Sequence, residues 1–214
     1  MLDWLLSIDE SFFSAINGLA AQSETSEITG ESKFLSKAMW WVSGAGNWVT
    51  LYVIFIVVIF EKFRNGKSRI IIILGLIATI ALADTISSRV LKPSAARLRP
   101  SHRIDLAEEI NLHTQKDGSL YKGGQFGFVS SHATNHMAIA VFVGGLLASV
   151  ISSILAGYVI FGFLLIWALV IGFSRIYLGV HFPSDVFFGW MLGAVIGALV
   201  LKYSTYLNLK YTSR

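Results

Sequence analysis

Long apolar runs separated by short polar connections dominate this chain. Five of them, at about 40 to 62, 69 to 91, 132 to 151, 154 to 173 and 184 to 203, approach the roughly 20 apolar residues that a helix needs to cross a hydrocarbon core about 30 Å thick. A helix satisfies its backbone groups within the segment, which lipid cannot do for it. The pattern therefore predicts an all-α integral membrane helical bundle with about five transmembrane helices. The first stretch differs. Residues 2 to 21 carry Trp4, Leu5, Leu6, Ile8, Phe12, Phe13, Ile16 and Leu19, interrupted by Asp3, Asp9, Glu10 and Asn17, a pattern that predicts an amphipathic helix on the membrane surface rather than a span. Residues 1–39 are thus expected to form an N-terminal amphipathic interfacial segment, and 40–214 a membrane-embedded domain. The polar insert 92–131 is too long for an ordinary connection and is expected to cap a functional site.

Charge gives the orientation. The connection 61–69 holds Lys62, Arg64, Lys67 and Arg69, and the tail holds Lys202, Lys210 and Arg214, so the positive-inside rule puts both in the cytoplasm. Five spans then bring residues 92–131 and 174–185 out together on the opposite face. With 54% hydrophobic and 14% charged residues in 214, the composition departs from the roughly 25% charged residues of soluble domains in the membrane direction. The net charge of +4 does not point to nucleic acid, because the cations are split between two loops and form no stripe with aromatic residues. A membrane surface with anionic lipid is the expected partner. There is no cysteine, which excludes disulfides and thiolate metal ligands. The start, Met-Leu-Asp, has no basic stretch ahead of an apolar core and no small-residue cleavage site, so no removable signal peptide is expected.

Three fragments on that outer face carry chemistry: Lys92 with Arg99 and Pro100; Ser130, Ser131 and His132; and Ser174, Arg175, His181 and Asp185. Phosphoryl transfer needs positioning and charge stabilisation more than covalent ingenuity. Lys92, Arg99 and Arg175 suit that task, the arginines as planar forks and the lysine as a point charge. Asp185 lies four residues beyond His181, and a helix opened by Pro183 would turn its carboxylate back toward the imidazole. That carboxylate would hold one ring nitrogen protonated and leave the other free to attack phosphorus. Ser130 and Ser131 stand at a helix start, where hydroxyls and free N–H groups cradle anions. His132 there could protonate a leaving oxygen.

These motifs resemble the type 2 phosphatidic acid phosphatase superfamily, in its membrane lipid phosphatase branch, with the vanadium haloperoxidases as soluble relatives. Lys92 to Pro100 matches Lys, six residues, Arg-Pro; Ser174 to Asp185 matches Ser-Arg, five residues, His, three residues, Asp. The middle motif, usually Pro-Ser-Gly-His, is here Val129, Ser130, Ser131, His132. The resemblance implies His181 as nucleophile, Asp185 as its partner, His132 as leaving-group acid, and Lys92, Arg99, Ser130, Ser131 and Arg175 as phosphate binders. It spans about residues 85 to 200.

Other features read as structural. His132 and His136 share a helix face, but position 133 is Ala rather than the Glu of a zinc motif, so no metal and no other cofactor are expected. Arg97 and Arg103 fall outside the motifs and read as solvated loop charges. Asp84, inside a span, is expected either to meet a basic group near the site or to be protonated. Gly189, Gly193 and Gly197 mark close helix packing; Gly123, Gly124 and Gly127 mark turns. The expected activity is metal-independent hydrolysis of a lipid phosphate or diphosphate through a phosphohistidine. Undecaprenyl diphosphate, a lipid A phosphate and phosphatidylglycerophosphate are the candidate substrates; the resemblance implies a bacterial inner membrane, and the loop charges put the site on its periplasmic or exterior face. The alternative is a transporter or binder of anionic lipid or phosphate that cleaves nothing. Against it stand the histidine and carboxylate pair, which mere binding does not need, and the absence of an inverted repeat.

Overall fold

The computed structural model describes residues 2–25 and 30–212. Among them the chain is helical with no strand: α1 (Leu2–Thr25), α2 (Gly30–Ser43), α3 (Val49–Lys62), α4 (Gly66–Asp84), α5 (Lys92–Ala95), α6 (Ser131–Val150), α7 (Ile154–Tyr177) and α8 (Pro183–Thr212). A π-helical stretch, Thr85–Leu91, joins α4 to α5 without interruption. Five stretches are long and apolar enough to cross a membrane: Ala45–Lys62, Gly66–Ala95, Ser131–Val150, Ile154–Tyr177 and Pro183–Thr212. They are the five apolar runs of the sequence with shifted ends. The first starts later than expected because Gly44 is extended and Ala45–Trp48 forms a 3-10 turn, which separates α2 from the span. The last runs nine residues past its apolar run, to Thr212.

The bundle is built around α6. It packs on α4, α7 and α8, and 67% of its apolar window is buried, far more than in any other span. Ile59, Ile72, Phe142, Val143, Ala168 and Ile171 meet around it with no exposed surface. The outer faces of α3, α4 and α7 expose Val53, Ile56, Val57, Ile70, Leu74, Ile77, Val159, Phe163 and Ile166, as lipid-facing helices must. Against α8 the contact is of another kind. A Cβ on Gly189 would lie 2.8 Å from the Ser130 carbonyl oxygen, and one on Gly193 would lie 3.0 Å from the Ala138 nitrogen. The glycine repeat thus seats α8 directly on the backbone of α6, as its spacing predicts.

The N-terminal helix is amphipathic, with buried polar side chains on its inner face. Helix α1 packs against α2, α7 and α8, and the face it turns inward bears Asp9, Phe13 and Asn17, all buried, while Trp4, Leu6, Phe12 and Leu19 are exposed. Asp9 and Asn17 face the protein. Asn17 donates to the carbonyls of Tyr177 and Asn111, at 2.9 Å each, and accepts from Asn111 N at 2.8 Å. A polar group facing neither water nor a partner would be costly, so burial on a polar neighbour is what these side chains require.

Residues 96–130 fold over one end of the bundle. Residues 97–99 run antiparallel to 125–127: Gly127 N donates to Arg97 O at 2.8 Å and Arg99 N to Gln125 O at 3.0 Å. The insert therefore doubles back and brings its own basic motif over the starts of α6 and α8.

Candidate active site

The start of α8 holds the central pair. His181 and Asp185 are both essentially fully buried, and His181 Nδ1 lies 3.3 Å from Asp185 Oδ2. The same oxygen accepts from Phe182 N at 3.1 Å. Pro183 is the first residue of α8, so the carboxylate sits in the first turn and bends back to the imidazole, as the sequence spacing requires. With Nδ1 engaged, Nε2 is the nitrogen left to react. Burial, and then the positive charges of Arg99, Arg175, Lys92 and Arg97, push the His181 pKa well below the usual histidine value. The imidazole is neutral at neutral pH, the form a nucleophile needs.

The cations of the motifs gather around it. Arg175 is 2% exposed; it donates to Tyr121 Oη at 2.9 Å and to Ser43 Oγ. Arg99 is buried, donates from Nε to Phe126 O at 3.1 Å, and lies across Gly123, whose φ of +67° admits no side chain easily. Lys92 at the start of α5 is within electrostatic reach of both arginines and of Asp185. Burial and the nearby Arg175 lower Arg99 to about 10, so it stays charged at neutral pH. Among the described residues, none of Lys92, Arg99 and Arg175 forms an ion pair. Holding three like charges together in partial burial costs several kcal/mol unless an anion joins them.

Helix α6 adds the remaining groups. Ser130 N donates to Asp185 O at 2.9 Å, which ties the start of α6 to that of α8. The buried Ser130 Oγ and Arg175 Nε have no hydrogen-bond partner, and such atoms in native proteins call for an explanation. An anion placed between them supplies one. Ser131, also expected to bind phosphate, pairs its hydroxyl with Ser88 Oγ at 2.8 Å, so only its N–H at the helix start is left for an anion. His132 and Arg175 line a cavity of about 240 Å³ together with Trp40, Ser43, Gly44, Ala45, Asn47 and Tyr121. His136 has both nitrogens engaged, Nδ1 with His132 O at 2.8 Å and Nε2 with Tyr52 Oη at 3.2 Å. It is a packing residue, wedged against Trp167.

Two expectations are overturned. Arg97 is not solvated: it donates to Asp185 Oδ1 at 2.8 Å and to Asp9 Oδ2 at 2.6 Å. Arg103 likewise meets Glu10 at 2.5 Å and also Asp105. Asp84 forms no ion pair among the described residues; its carboxylate accepts from Ser88 at 3.2 Å and Asn135 at 3.5 Å. Asp9, Ser43 and Tyr121 belong to the surroundings of the site and were not foreseen. The one available signal was Asp9 itself, an acid among large apolar residues, which demands a cation when buried.

Over 212 residues the chain is 26% identical to a lipid A 4'-phosphatase of Porphyromonas gingivalis, covering 98% of this chain and 78% of that protein. A lipid A 4'-phosphatase of Bacteroides thetaiotaomicron is 28% identical over 200 residues, 93% of this chain and 78% of that one. The fold is similar to the crystal structure of a transmembrane PAP2-type phosphatidylglycerolphosphate phosphatase from Bacillus subtilis, with a TM-score of 0.62, 20% identity, and 92% and 86% of the two chains covered. Residues 70–209 match the PAP2 superfamily. The chain belongs to the PAP2 superfamily, and its five apolar helices make it a membrane-spanning member.

Proposed function

We propose that this membrane lipid phosphatase removes a phosphate from a lipid A-type glycolipid through a phosphohistidine on His181. The observation that carries the catalytic reading is the cluster of Lys92, Arg99 and Arg175, three cations with no carboxylate partner among the described residues, around a neutral, buried imidazole. The near full-length likeness to two lipid A 4'-phosphatases supports the choice of lipid over undecaprenyl diphosphate and phosphatidylglycerophosphate.

In this reading the cations, Ser130 Oγ and the N–H groups opening α6 hold the phosphate oxygens. His181 Nε2 attacks phosphorus in line while Asp185 keeps Nδ1 protonated and stabilises the cation that forms. The bond from phosphorus to the lipid oxygen breaks, and His132 gives that oxygen its proton. The dianionic phosphate brings the negative charge that lets His132 hold the proton beforehand. Water then loses a proton to His132 and attacks phosphorus, the P–N bond breaks, and phosphate leaves with His181 restored. The positive-inside rule supports a site on the face opposite the cytoplasm, and the bacterial relatives support a bacterial cytoplasmic membrane, with that face the periplasmic one. Residues 1–39 act as an interfacial segment, with the apolar face of α1 toward lipid and its polar face on the enzyme.

The test is phosphate release by the purified protein from lipid A, undecaprenyl diphosphate and phosphatidylglycerophosphate in one detergent. Lipid A should be the fastest substrate. His181→Ala should lose about a thousandfold or more in kcat, and the wild-type enzyme quenched in turnover should carry an acid-labile phosphate. Orthovanadate should inhibit and EDTA should not. Preference for another lipid overturns the substrate; an active His181→Ala overturns the mechanism.

A further inference from the structure

Arg97 stands between the catalytic carboxylate and the N-terminal helix. Its Nη1 donates to Asp185 Oδ1 at 2.8 Å and to Ser184 Oγ at 2.6 Å, and its Nη2 to Asp9 Oδ2 at 2.6 Å. The guanidinium lies 4.4 Å over the ring of Phe182, whose edge meets Phe13 of α1 with centroids 5.4 Å apart. Asp9 is itself tied down. Its Oδ1 accepts from Ser184 N at 2.8 Å, one of the N–H groups that the first turn of α8 leaves without a helical partner, and its Oδ2 accepts from Ser184 Oγ at 2.6 Å. An acid from α1 thus caps α8 at the turn that carries Asp185, as a residue within the chain ordinarily would. Arg103 and Glu10, at 2.5 Å, add a second tie between the insert and α1.

We propose that Arg97 is a positioning residue for the His181–Asp185 pair, with Asp9 as its anchor, so that the N-terminal helix is a working part of the site. The two oxygens of Asp185 have separate duties. Oδ2 serves His181 Nδ1 and Phe182 N; Oδ1 receives only Arg97. With Oδ1 pinned, the carboxylate cannot rotate, and Oδ2 stays aimed at the imidazole; a displacement of about 1 Å at such a pair costs on the order of a hundredfold in rate. Arg97 does not join the phosphate-binding cations. Both of its terminal nitrogens are committed to carboxylates, whereas Lys92, Arg99 and Arg175 have no such partner among the described residues. Its loss should therefore act on turnover rather than on substrate binding.

This inference rests on His181 being the nucleophile, and His181→Ala is carried as a reference so that the two readings can fail separately. The experiment measures kcat and KM of the purified full chain for Arg97→Gln, Asp9→Asn and the double variant, with phosphate release from a lipid substrate. Arg97→Gln should lower kcat about 10- to 100-fold with KM within about twofold, and Asp9→Asn should lower kcat about three- to tenfold. The double variant should be no slower than Arg97→Gln, because Asp9 acts only through the group already removed. If Arg97→Gln does not accumulate as folded protein, Arg97→Lys, which keeps the charge but not the fork, should recover folding and part of kcat. Arg97→Gln with wild-type kcat beside an inactive His181→Ala overturns the proposal alone. So does a loss confined to KM, or a double variant whose defect is the product of the two.

Discussion

A neutral imidazole beside four cations sets how the site responds to pH. His181 is held below the usual histidine value first by burial and then by repulsion from Arg99, Arg175, Lys92 and Arg97. A base with a lowered pKa keeps its reactive form as the medium turns acid and loses it only when the pH falls through the lowered value. The acid limb of kcat/KM, which reports the free enzyme, should therefore lie below the ordinary value of about 6.5. In Arg99→Gln one repelling charge is gone, so the limb of the residual rate should move up toward that value. Both profiles use one substrate, whose own ionisation cancels in the comparison. A limb that stays in place would mean that the cations do not govern His181. The spacing of four residues from His181 to Asp185 made this pair legible in the sequence, because a helix start permits only one way back. Arg97 was not legible. Its partner Asp9 is 88 residues away on a helix whose docking no local pattern reveals.

Helices α6 and α8 meet with almost nothing between them. On Gly193 an added Cβ would come within 3.0 Å of Ala138 N and of Met137 Cβ, and neither can withdraw without moving α6. Gly193→Ala should thus destabilise the folded protein by about 1–3 kcal/mol, seen as a drop of several degrees in the unfolding midpoint in detergent. Gly162 in α7 has nothing within 4 Å of the corresponding position, so Gly162→Ala should leave the midpoint unchanged or raise it. An equal response of the two would dismiss the seam as a packing constraint. The glycine spacing announced this contact in the sequence. The direction of α1 was hidden, because an alternation of apolar and polar residues defines two faces without saying which of them meets lipid and which meets protein.

Sidedness concerns the chain from end to end. Gly66→Cys and Ser119→Cys sit on opposite sides of the bundle, one in the basic connection and the other in the insert. Both positions are exposed, and the chain has no cysteine of its own. In intact spheroplasts a membrane-impermeant thiol reagent should label Ser119→Cys and spare Gly66→Cys until the membrane is opened. The reverse result would move the chemistry to the cytoplasmic leaflet. Charge alone sets the expected side of each loop, whereas the bonds within the insert had no signal in the sequence. Insertion responds to loop charge, but the pairing of residues 97–99 with 125–127 depends on the bundle beneath. The seam also divides labour within the molecule. Since α8 is seated on the backbone of α6 and Ser130 N donates to Asp185 O, the starts of the two helices that carry His132 and Asp185 are tied to each other. Any give must come from the facing wall, where Trp40, Gly44, Asn47 and Tyr121 look across the cavity at His132 and Arg175. The two stretches of chain are joined at Tyr121, which receives Arg175 at 2.9 Å, so a change at Tyr121 would reach the cations as well as the wall.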